Sequence, residues 1–321
     1  MIRLVYRSDV HLATQAPQSR TDDWAATVLD KLDQVSAIAT EVGAQAILDG
    51  GDFFHIKMPS RTTHELVRQV AAAHRGYPCK VYGNIGNHDC KYGDYAFLPE
   101  SPLGVLFDTG VFQRCYDQHE AVFEQDGVKV RVVGIPYHGK KYDLNRITTI
   151  VKGDEDYLVV MAHLLASPGG GEMFGAEDIV PYAELANLDP DVWCFGHWHK
   201  NQGVVKVGKK TIVNIGSLTR GALTEDKVSR IPECAVLSFT KQGVTVDRRP
   251  LKVQPAAEVF DLVGRTRQEA RAMTVDAFVE SVKTTLTQAP AQSLLGQVRA
   301  LDAPDVVKER LISYLEAEGA S

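Results

Sequence analysis

Five predicted strands are each followed at once by side chains that can bind metal ions. Asp9 and His11 follow a first strand over residues 2–7, and Asp52 follows a second that ends at Leu48. In a sheet of parallel strands, functional residues gather at the carboxyl ends, so these side chains are predicted to lie together. The residues after the other three strands are Asn87, His88 and Asp89, then His163, and last His197 and His199.

Carboxylate, amide and imidazole groups make up the donor set of this predicted site. Imidazole suits manganese, iron and zinc, while carboxylate and amide oxygens suit manganese and magnesium. The set contains no cysteine, which disfavours a structural zinc site. The mixture favours two divalent ions, with manganese first and magnesium, iron or zinc as alternatives. Two such ions suit in-line attack of water on phosphorus.

Strands and helices alternate over the first 90 residues, which predicts crossover units and a largely parallel sheet. Helices are predicted over 22–42 and from near Arg61 to about His74. Asp126-Gly127 predicts a hairpin between strands 121–123 and 128–133. The remaining predicted strands are 44–48, 81–85, 157–162, 191–195, 204–207, 211–215, 234–239 and 244–246. The fold class is therefore α/β (α+β), a two-layer mixed β-sandwich flanked by helices, with a small C-terminal helical region.

The pattern changes after Pro250 and Pro255. Helical spacing of apolar residues then predicts helices over 259–287 and 305–318. We therefore predict one domain over residues 1–254, in which 203–254 complete the sheets, and a helical region over 255–321.

The distribution of charge bears on the kind of partner. The chain of 321 residues has a net charge of −6, which argues against a protein that binds nucleic acid by bulk positive charge. The charge is nevertheless segregated: residues 203–254 carry 10 basic and 4 acidic side chains. Two divalent ions would also add positive charge at the acidic strand ends.

Cysteine usage and hydropathy bear on the compartment. The five cysteines include no Cys-x-x-Cys pair, which argues against a disulfide framework and favours a reducing cytoplasm. No apolar run approaches the roughly 20 residues that span a bilayer, and the chain opens without a signal-peptide pattern. We expect a cytoplasmic protein, in the host cytoplasm if a phage encodes it, and no membrane partner.

Taken in order, the five strand-end motifs resemble those of the calcineurin-like metallophosphoesterase superfamily over about residues 1–220. Residues 51–61, which read Gly-Asp-Phe-Phe-His-Ile-Lys-Met-Pro-Ser-Arg, resemble the GDLFHxxxPSR stretch of the Mre11/SbcD nucleases. Residues 214–220 resemble the GSLxR segment of the same family. The chain is shorter than most cellular members and is similar in this respect to bacteriophage members.

The resemblance implies a role for each motif. It places one ion on Asp9, His11, Asp52 and His199, and a second on Asp52, Asn87, His163 and His197. His88 is implied to be the general acid that protonates the leaving 3′ oxygen. Asp89 either orients the imidazole of His88 or caps a turn.

Three further residues are candidate substrate contacts. His55 either contacts a DNA phosphate or is a surface histidine beside a turn. Arg61 is either a second such contact or a residue of the first turn of a helix. Arg220 belongs to the basic stretch 203–254, in which Lys206, Lys209, Lys210 and Arg220 are the first candidates for contact with the DNA backbone.

The function implied by the family is a manganese-dependent 3′-to-5′ exonuclease and endonuclease of DNA repair or recombination. The family also implies a Rad50/SbcC-like ATPase partner that docks on residues 255–321, and a homodimer formed through helices near 61–75 and 92–107. Packing of 255–321 on its own catalytic domain is the alternative for that region. The alternatives for the function are a phosphodiesterase or phosphatase of small molecules, and a non-catalytic scaffold.

Overall fold

A computed structural model describes residues 1–17, 19–55, 62–173, 177–221 and 229–262, together with 308, 309 and 312. The chain divides into two compact units, residues 1–260 and 261–321. The first unit contains the sheets and all five strand-end motifs. The predicted helices over 259–287 and 305–318, and Arg61, lie wholly or mostly outside the described residues.

The first sheet has six strands, which are β1 (Ile2–Arg7), β2 (Ala46–Asp49), β3 (Lys80–Gly83), β4 (Phe112–Arg114), β14 (Glu233–Thr240) and β15 (Gly243–Pro250). Their order across the sheet is β15-β14-β1-β2-β3-β4. The strands β1 to β4 are parallel, whereas β14 lies antiparallel to both β1 and β15. Parallel pairing brings the carboxyl ends of β1, β2 and β3 to one edge.

The second sheet also has six strands, which are β5 (Ala121–Gln125), β6 (Val128–Ile135), β7 (Tyr157–His163), β11 (Val192–Gly196), β12 (Gly203–Val207) and β13 (Lys210–Asn214). Their order is β12-β13-β11-β7-β6-β5. Here β6, β7, β11 and β13 are parallel, and hairpin partners flank them on both sides. A small third sheet contains β8 (Ala166–Ser167), β9 (Gly171–Met173) and β10 (Glu177–Pro181).

The helices of the described chain are α1 (Trp24–Val42), α2 (His64–Arg75), α3 (Pro102–Asp108), α4 (Leu144–Thr148), α5 (Tyr182–Leu185) and α6 (Ala256–Val259), with 3-10 turns at Lys91–Gly93 and Tyr95–Glu100. Local signals account for their ends. Asp23 caps α1 by accepting a hydrogen bond from Ala26 N, and Gly43 ends the helix with φ 62°. Thr63 caps α2, so that helix begins at His64 and not near Arg61 as predicted.

The two large sheets pack face to face over a core of apolar side chains. Leu4 of β1, Val132 of β6 and Met161 of β7 are fully buried in that core. A second core lies between the first sheet and the helices α1 to α3, and a third lies between the second sheet and α4 and α5. The predicted two-layer mixed β-sandwich flanked by helices is thus confirmed.

Some elements were not predicted. The strand β4 and the strands of the third sheet are very short, so none carries a clear periodic signal. The resemblance implied a helix near 92–107, where the structure has the 3-10 turn Tyr95–Glu100 followed by α3. Within the described part of the chain, no helix is long and apolar enough to cross a membrane.

Candidate metal centre

The predicted donors lie at the carboxyl ends of strands in both large sheets. The loops after β1 and β2 remain paired beyond the strands, because Asp9 N donates to Gly51 O and His11 N donates to Asp52 O, both at 3.0 Å. His163 is the last residue of β7, and His197 directly follows β11, which is parallel to β7. The facing sheets therefore bring their donors to one common edge.

One group of donors consists of Asp9, His11, Asp52 and His199, whose ligand atoms all lie within 4.8 Å of one another. The Nε2 atoms of His11 and His199 face each other at 2.8 Å. His199 Nε2 lies 3.7 Å from Asp9 Oδ1, and His11 Nε2 lies 3.7 Å from Asp52 Oδ2. These spacings allow one cation to contact all four side chains.

A second group consists of Asp52, His163 and His197, again with ligand atoms within 4.8 Å of one another. His163 Nε2 lies 3.3 Å from Asp52 Oδ2 and 3.3 Å from Asn87 Oδ1. Asp52 belongs to both groups, and its Oδ2 lies between an imidazole of each. This arrangement is the one expected of a carboxylate that bridges two ions.

The chemistry of Asp52 tests whether these residues fit a cation. Its side chain is fully buried, and its Oδ2 accepts no hydrogen bond, whereas Oδ1 accepts one from His88 N at 2.7 Å. A buried carboxylate oxygen that accepts no hydrogen bond is costly, and a divalent cation at that oxygen would offset the cost. The donors present therefore fit a two-ion centre.

Electrostatics agree with the geometry. Burial by itself would raise the pKa of Asp52, but His163 and then His88 outweigh burial and hold the pKa of this carboxyl well below its usual value. Burial likewise opposes the charge on His163, yet Asp52 raises the pKa of that imidazole to about 9. The Asp52 carboxylate therefore stays charged and attracts positive charge to its buried oxygen.

The backbone is unusual at the same positions. Seven non-glycine residues in the described chain have positive φ, and four of them are predicted ligands. Such a conformation is uncommon outside glycine, and residues that adopt it cluster at functional sites as well as in turns. The four ligands are Asp9 (53°), His11 (52°), Asp52 (53°) and His197 (80°).

Gly86 is needed because the loops approach closely here: a Cβ at this position would collide with the backbone and carboxylate of Asp52.

The profile of the calcineurin-like phosphoesterase family matches residues 2–201, which contain all five strand-end motifs. The chain belongs to this family. It is accordingly a metal-dependent hydrolase that acts on phosphoester bonds.

Two curated relatives are DNA double-strand break repair proteins Mre11. That of Haloferax volcanii is 25% identical over 94% of this chain and 67% of its own length. That of Halobacterium salinarum is 22% identical over 79% of this chain and 61% of its own length. Part of each relative therefore lies outside the match.

A solved structure, that of a dimetal phosphatase from Danio rerio, has the same fold. It superposes with a TM-score of 0.52 at 12% identity, covering 78% of this chain and 96% of its own. At that identity the likeness supports the calcineurin-like fold alone.

His88, the predicted general acid of this phosphoesterase, lies beside the shared carboxylate. Its Nδ1 lies 3.0 Å from His55 O, and its ring stacks on that of His55 with centroids 5.0 Å apart. His11, His55 and His88 form a third group with ligand atoms within 4.8 Å. His55, predicted as a contact to phosphate, is exposed at the mouth of the centre.

Asp89 lies next to His88 in sequence, but its carboxylate turns to the backbone. Oδ2 accepts hydrogen bonds from Asp52 N and Gly86 N, both at 2.8 Å, and Oδ1 accepts one from Phe54 N at 3.0 Å. Asp89 thus joins the loops that follow β2 and β3. These contacts are those of a turn cap, and an effect of Asp89 on the His88 imidazole stays a prediction.

The three lysines of the predicted basic surface lie away from the metal centre. The centre lies at the carboxyl end of β13. Lys210 is the first residue of that strand, Lys209 precedes it, and Lys206 on β12 pairs with Thr211. The start and the carboxyl end of β13 are four residues apart along the strand, which is roughly 13 Å. Arg220 is buried, lies over the ring of Phe260 and donates to Gln254 O at 2.5 Å. The substrate contact of Arg220 stays a prediction, as does that of Arg61.

Two residues near the centre were not predicted. Glu177 lies 2.8 Å from His197 Nε2, and the ring of Tyr137 lies 5.3 Å from that of His197. Neither belongs to a strand-end motif. Glu177 comes after a glycine-rich stretch that reads as a flexible connection, so only the folded chain shows where its carboxylate lies.

Proposed function

We propose that this chain is a two-metal, manganese-dependent DNA nuclease subunit of the Mre11 type. It would hydrolyse phosphodiester bonds in DNA repair or recombination, as a 3′-to-5′ exonuclease and endonuclease. The observation that supports this proposal most is the extent of the likeness to Haloferax Mre11, which covers 94% of the chain. A shared phosphoesterase domain alone would account for likeness up to about residue 201.

The two groups of donors would hold the two ions. When bound, two divalent cations would activate water and neutralise charge that develops on the phosphate. The mixed nitrogen and oxygen donors favour manganese. The proposed ligands are Asp9, His11, Asp52 and His199 for one ion, and Asp52, Asn87, His163 and His197 for the other.

His88 would transfer the proton to the leaving 3′ oxygen. Its backbone N donates to Asp52 Oδ1, which holds the residue beside the shared carboxylate. When Nδ1–H donates to His55 O, Nε2 is the nitrogen left to exchange a proton with substrate. His55 would support the imidazole ring of His88 by stacking on it. It would also contact a phosphate of the DNA.

The charge distribution favours a partner that supplies affinity for DNA. Several basic side chains of the 203–254 stretch are paired within the protein, including Arg248 with Glu233 and Arg249 with Glu41. Little of that charge is therefore available for DNA near the centre. We propose a Rad50/SbcC-like ATPase that docks on residues 255–321.

The proposed homodimer would use the face formed by α2 and α3. A groove of about 880 Å³ lies between these helices, and its lining combines polar side chains with the apolar residues Val67, Ala71 and Val105. Val105 is 48% exposed on this face. A second copy would bury this face.

Cleavage assays test the proposed reaction. Wild type with manganese should cut end-labelled duplex DNA and bis-p-nitrophenyl phosphate. The variant His88→Gln should lose at least about 100-fold in the cleavage of DNA. Its matched control, His119→Gln at an exposed site, should behave as wild type. Hydrolysis of the small diester alone, with DNA intact even when the ATPase is present, would favour the small-molecule phosphodiesterase.

Binding of the ATPase tests the role of the tail. A chain ending at Phe260 retains the first compact unit. It should still bind two manganese ions but fail to bind the ATPase in a pull-down. If it bound the ATPase as the full chain does, the docking proposal would be wrong.

A further inference from the structure

Glu177 carries a buried carboxylate next to the metal centre. It begins β10 of the small third sheet and is 4% exposed. Its Oε1 lies 2.8 Å from Nε2 of His197. Tyr142 supports the same oxygen, since its hydroxyl donates to Oε1 at 3.3 Å while accepting a hydrogen bond from Leu165 N at 2.7 Å.

His197 is held at two points. Its backbone has φ 80°, and its N–H donates to Asp9 Oδ1 at 3.0 Å, which fixes the main chain. The bond to Glu177 fixes the ring. A neutral imidazole carries one proton, so a ring that donates Nε2–H to a carboxylate has its lone pair on Nδ1.

We propose that Glu177 is a positioning residue that selects the Nε2–H tautomer of His197 and so presents Nδ1 to the second ion. This inference rests on the proposed two-ion site. A carboxylate in this position also makes the imidazole more basic and thus a stronger ligand. His163 is oriented in a related way, because its Nδ1 lies 2.9 Å from Gly50 O and its Nε2 is left facing Asp52.

The burial of Glu177 supports the same role. A buried carboxylate is costly unless hydrogen bonds and opposite charge compensate for it. The described structure gives the Glu177 carboxylate bonds to His197 and Tyr142 and no ion pair with lysine or arginine. The ring of His197, when it binds a divalent cation through Nδ1, would supply the missing positive charge.

Three variants of the full chain test this role. Glu177→Met removes the acceptor at nearly constant length, Glu177→Gln keeps an acceptor oxygen without charge, and Glu184→Gln is the matched control at an exposed site. Calorimetric titration with manganese should show that Glu177→Met lowers the affinity for one of the two ions by about 10-fold to 100-fold. The affinity for the other ion should be unchanged. Glu177→Gln should lose less affinity for that ion than Glu177→Met, and Glu184→Gln should bind both ions as wild type does.

A second measurement reads the tautomer directly. Long-range ¹H–¹⁵N spectra of the metal-free protein should show the Nε2–H form of His197 in wild type and Glu177→Gln, and a mixture of forms in Glu177→Met. Wild-type affinity for both ions in Glu177→Met, or equal weakening of both ions in both variants, would overturn the inference. If wild type binds fewer than two ions, the proposed function fails, while the tautomer still decides the role of Glu177.

Discussion

Asp52 Oδ2 lies 3.3 Å from His163 Nε2, a contact that joins the end of β2 in one sheet to the end of β7 in the other. Asp52 also belongs to both groups of donors, the one with Asp9, His11 and His199 and the one with His163 and His197. The two proposed ion positions are therefore linked through a single buried carboxylate.

Replacement of this carboxylate should affect both ions. We expect Asp52→Asn to lower the affinity for both manganese ions by more than about 100-fold. Asp9→Asn should lower the affinity for chiefly one of them. Calorimetric titration would measure this. Asp143→Asn is the matched control, since asparagine can also cap α4. If Asp52→Asn lost only one ion, Asp52 would not be a bridge.

His74 should make stability depend on pH. Burial and the neighbouring Arg7 lower the pKa of His74 to about 3, whereas an unfolded histidine titrates near 6.5. As the pH falls from about 6.5 towards 3, the unfolded chain binds a proton that the folded chain does not, so stability falls. The expected slope from this residue is up to about 1.4 kcal/mol per pH unit.

Urea unfolding at a series of pH values would measure this slope. His74→Gln should flatten it below pH 6.5 relative to wild type, even if the variant is less stable throughout. His119→Gln should keep the wild-type slope. Equal slopes in His74→Gln and wild type would show that His74 is protonated in the folded protein.

The buried pair of Arg7 and Asp49 should be sensitive to the loss of either partner. Arg7 Nε lies 2.7 Å from Asp49 Oδ2, and both side chains are at most 1% exposed. Asp49→Leu would leave the guanidinium unpaired and should destabilise the fold by about 3 to 5 kcal/mol. Arg7→Met combined with Asp49→Leu should cost less than the sum of the single changes. Additive costs in denaturant unfolding would contradict coupling between the two.

The α2 and α3 face should control self-association. Val105→Glu places a charge on this face and should shift the proposed dimer to monomer in light scattering coupled to gel filtration. Val122→Glu is the matched control, because Val122 is equally exposed, at 50%, on β5. A dimer that persists in Val105→Glu, or a wild type that is monomeric, would show that this face is not the interface.

The sequence predicted the elements that carry strong local signals. The helix α1 was predicted over 22–42 and runs over Trp24–Val42, and the hairpin at Asp126-Gly127 is present with β5 and β6 on either side. The donors were predicted for a similar reason. Parallel strands align their carboxyl ends, so the order of the motifs along the chain implied a common edge.

Side-chain direction was the part that sequence could not predict. Asp89 adjoins His88, yet its carboxylate binds the backbone of Asp52, Phe54 and Gly86, because the turn after β3 points it inward. Arg220 lies in a basic stretch, yet it is buried against Phe260. Such contacts depend on the packing of loops from separate strands, and no local pattern records them.

The sequence by itself determined which strands end in metal donors and which donor chemistry they offer, because strand ends and residue types are local properties. The resemblance had implied that both ions share Asp52, but only the tertiary structure brought the donors of each group within 4.8 Å of one another and placed Glu177 against His197. Those relationships arise where two sheets and a third small one meet, and they depend on register and packing between residues far apart in the chain.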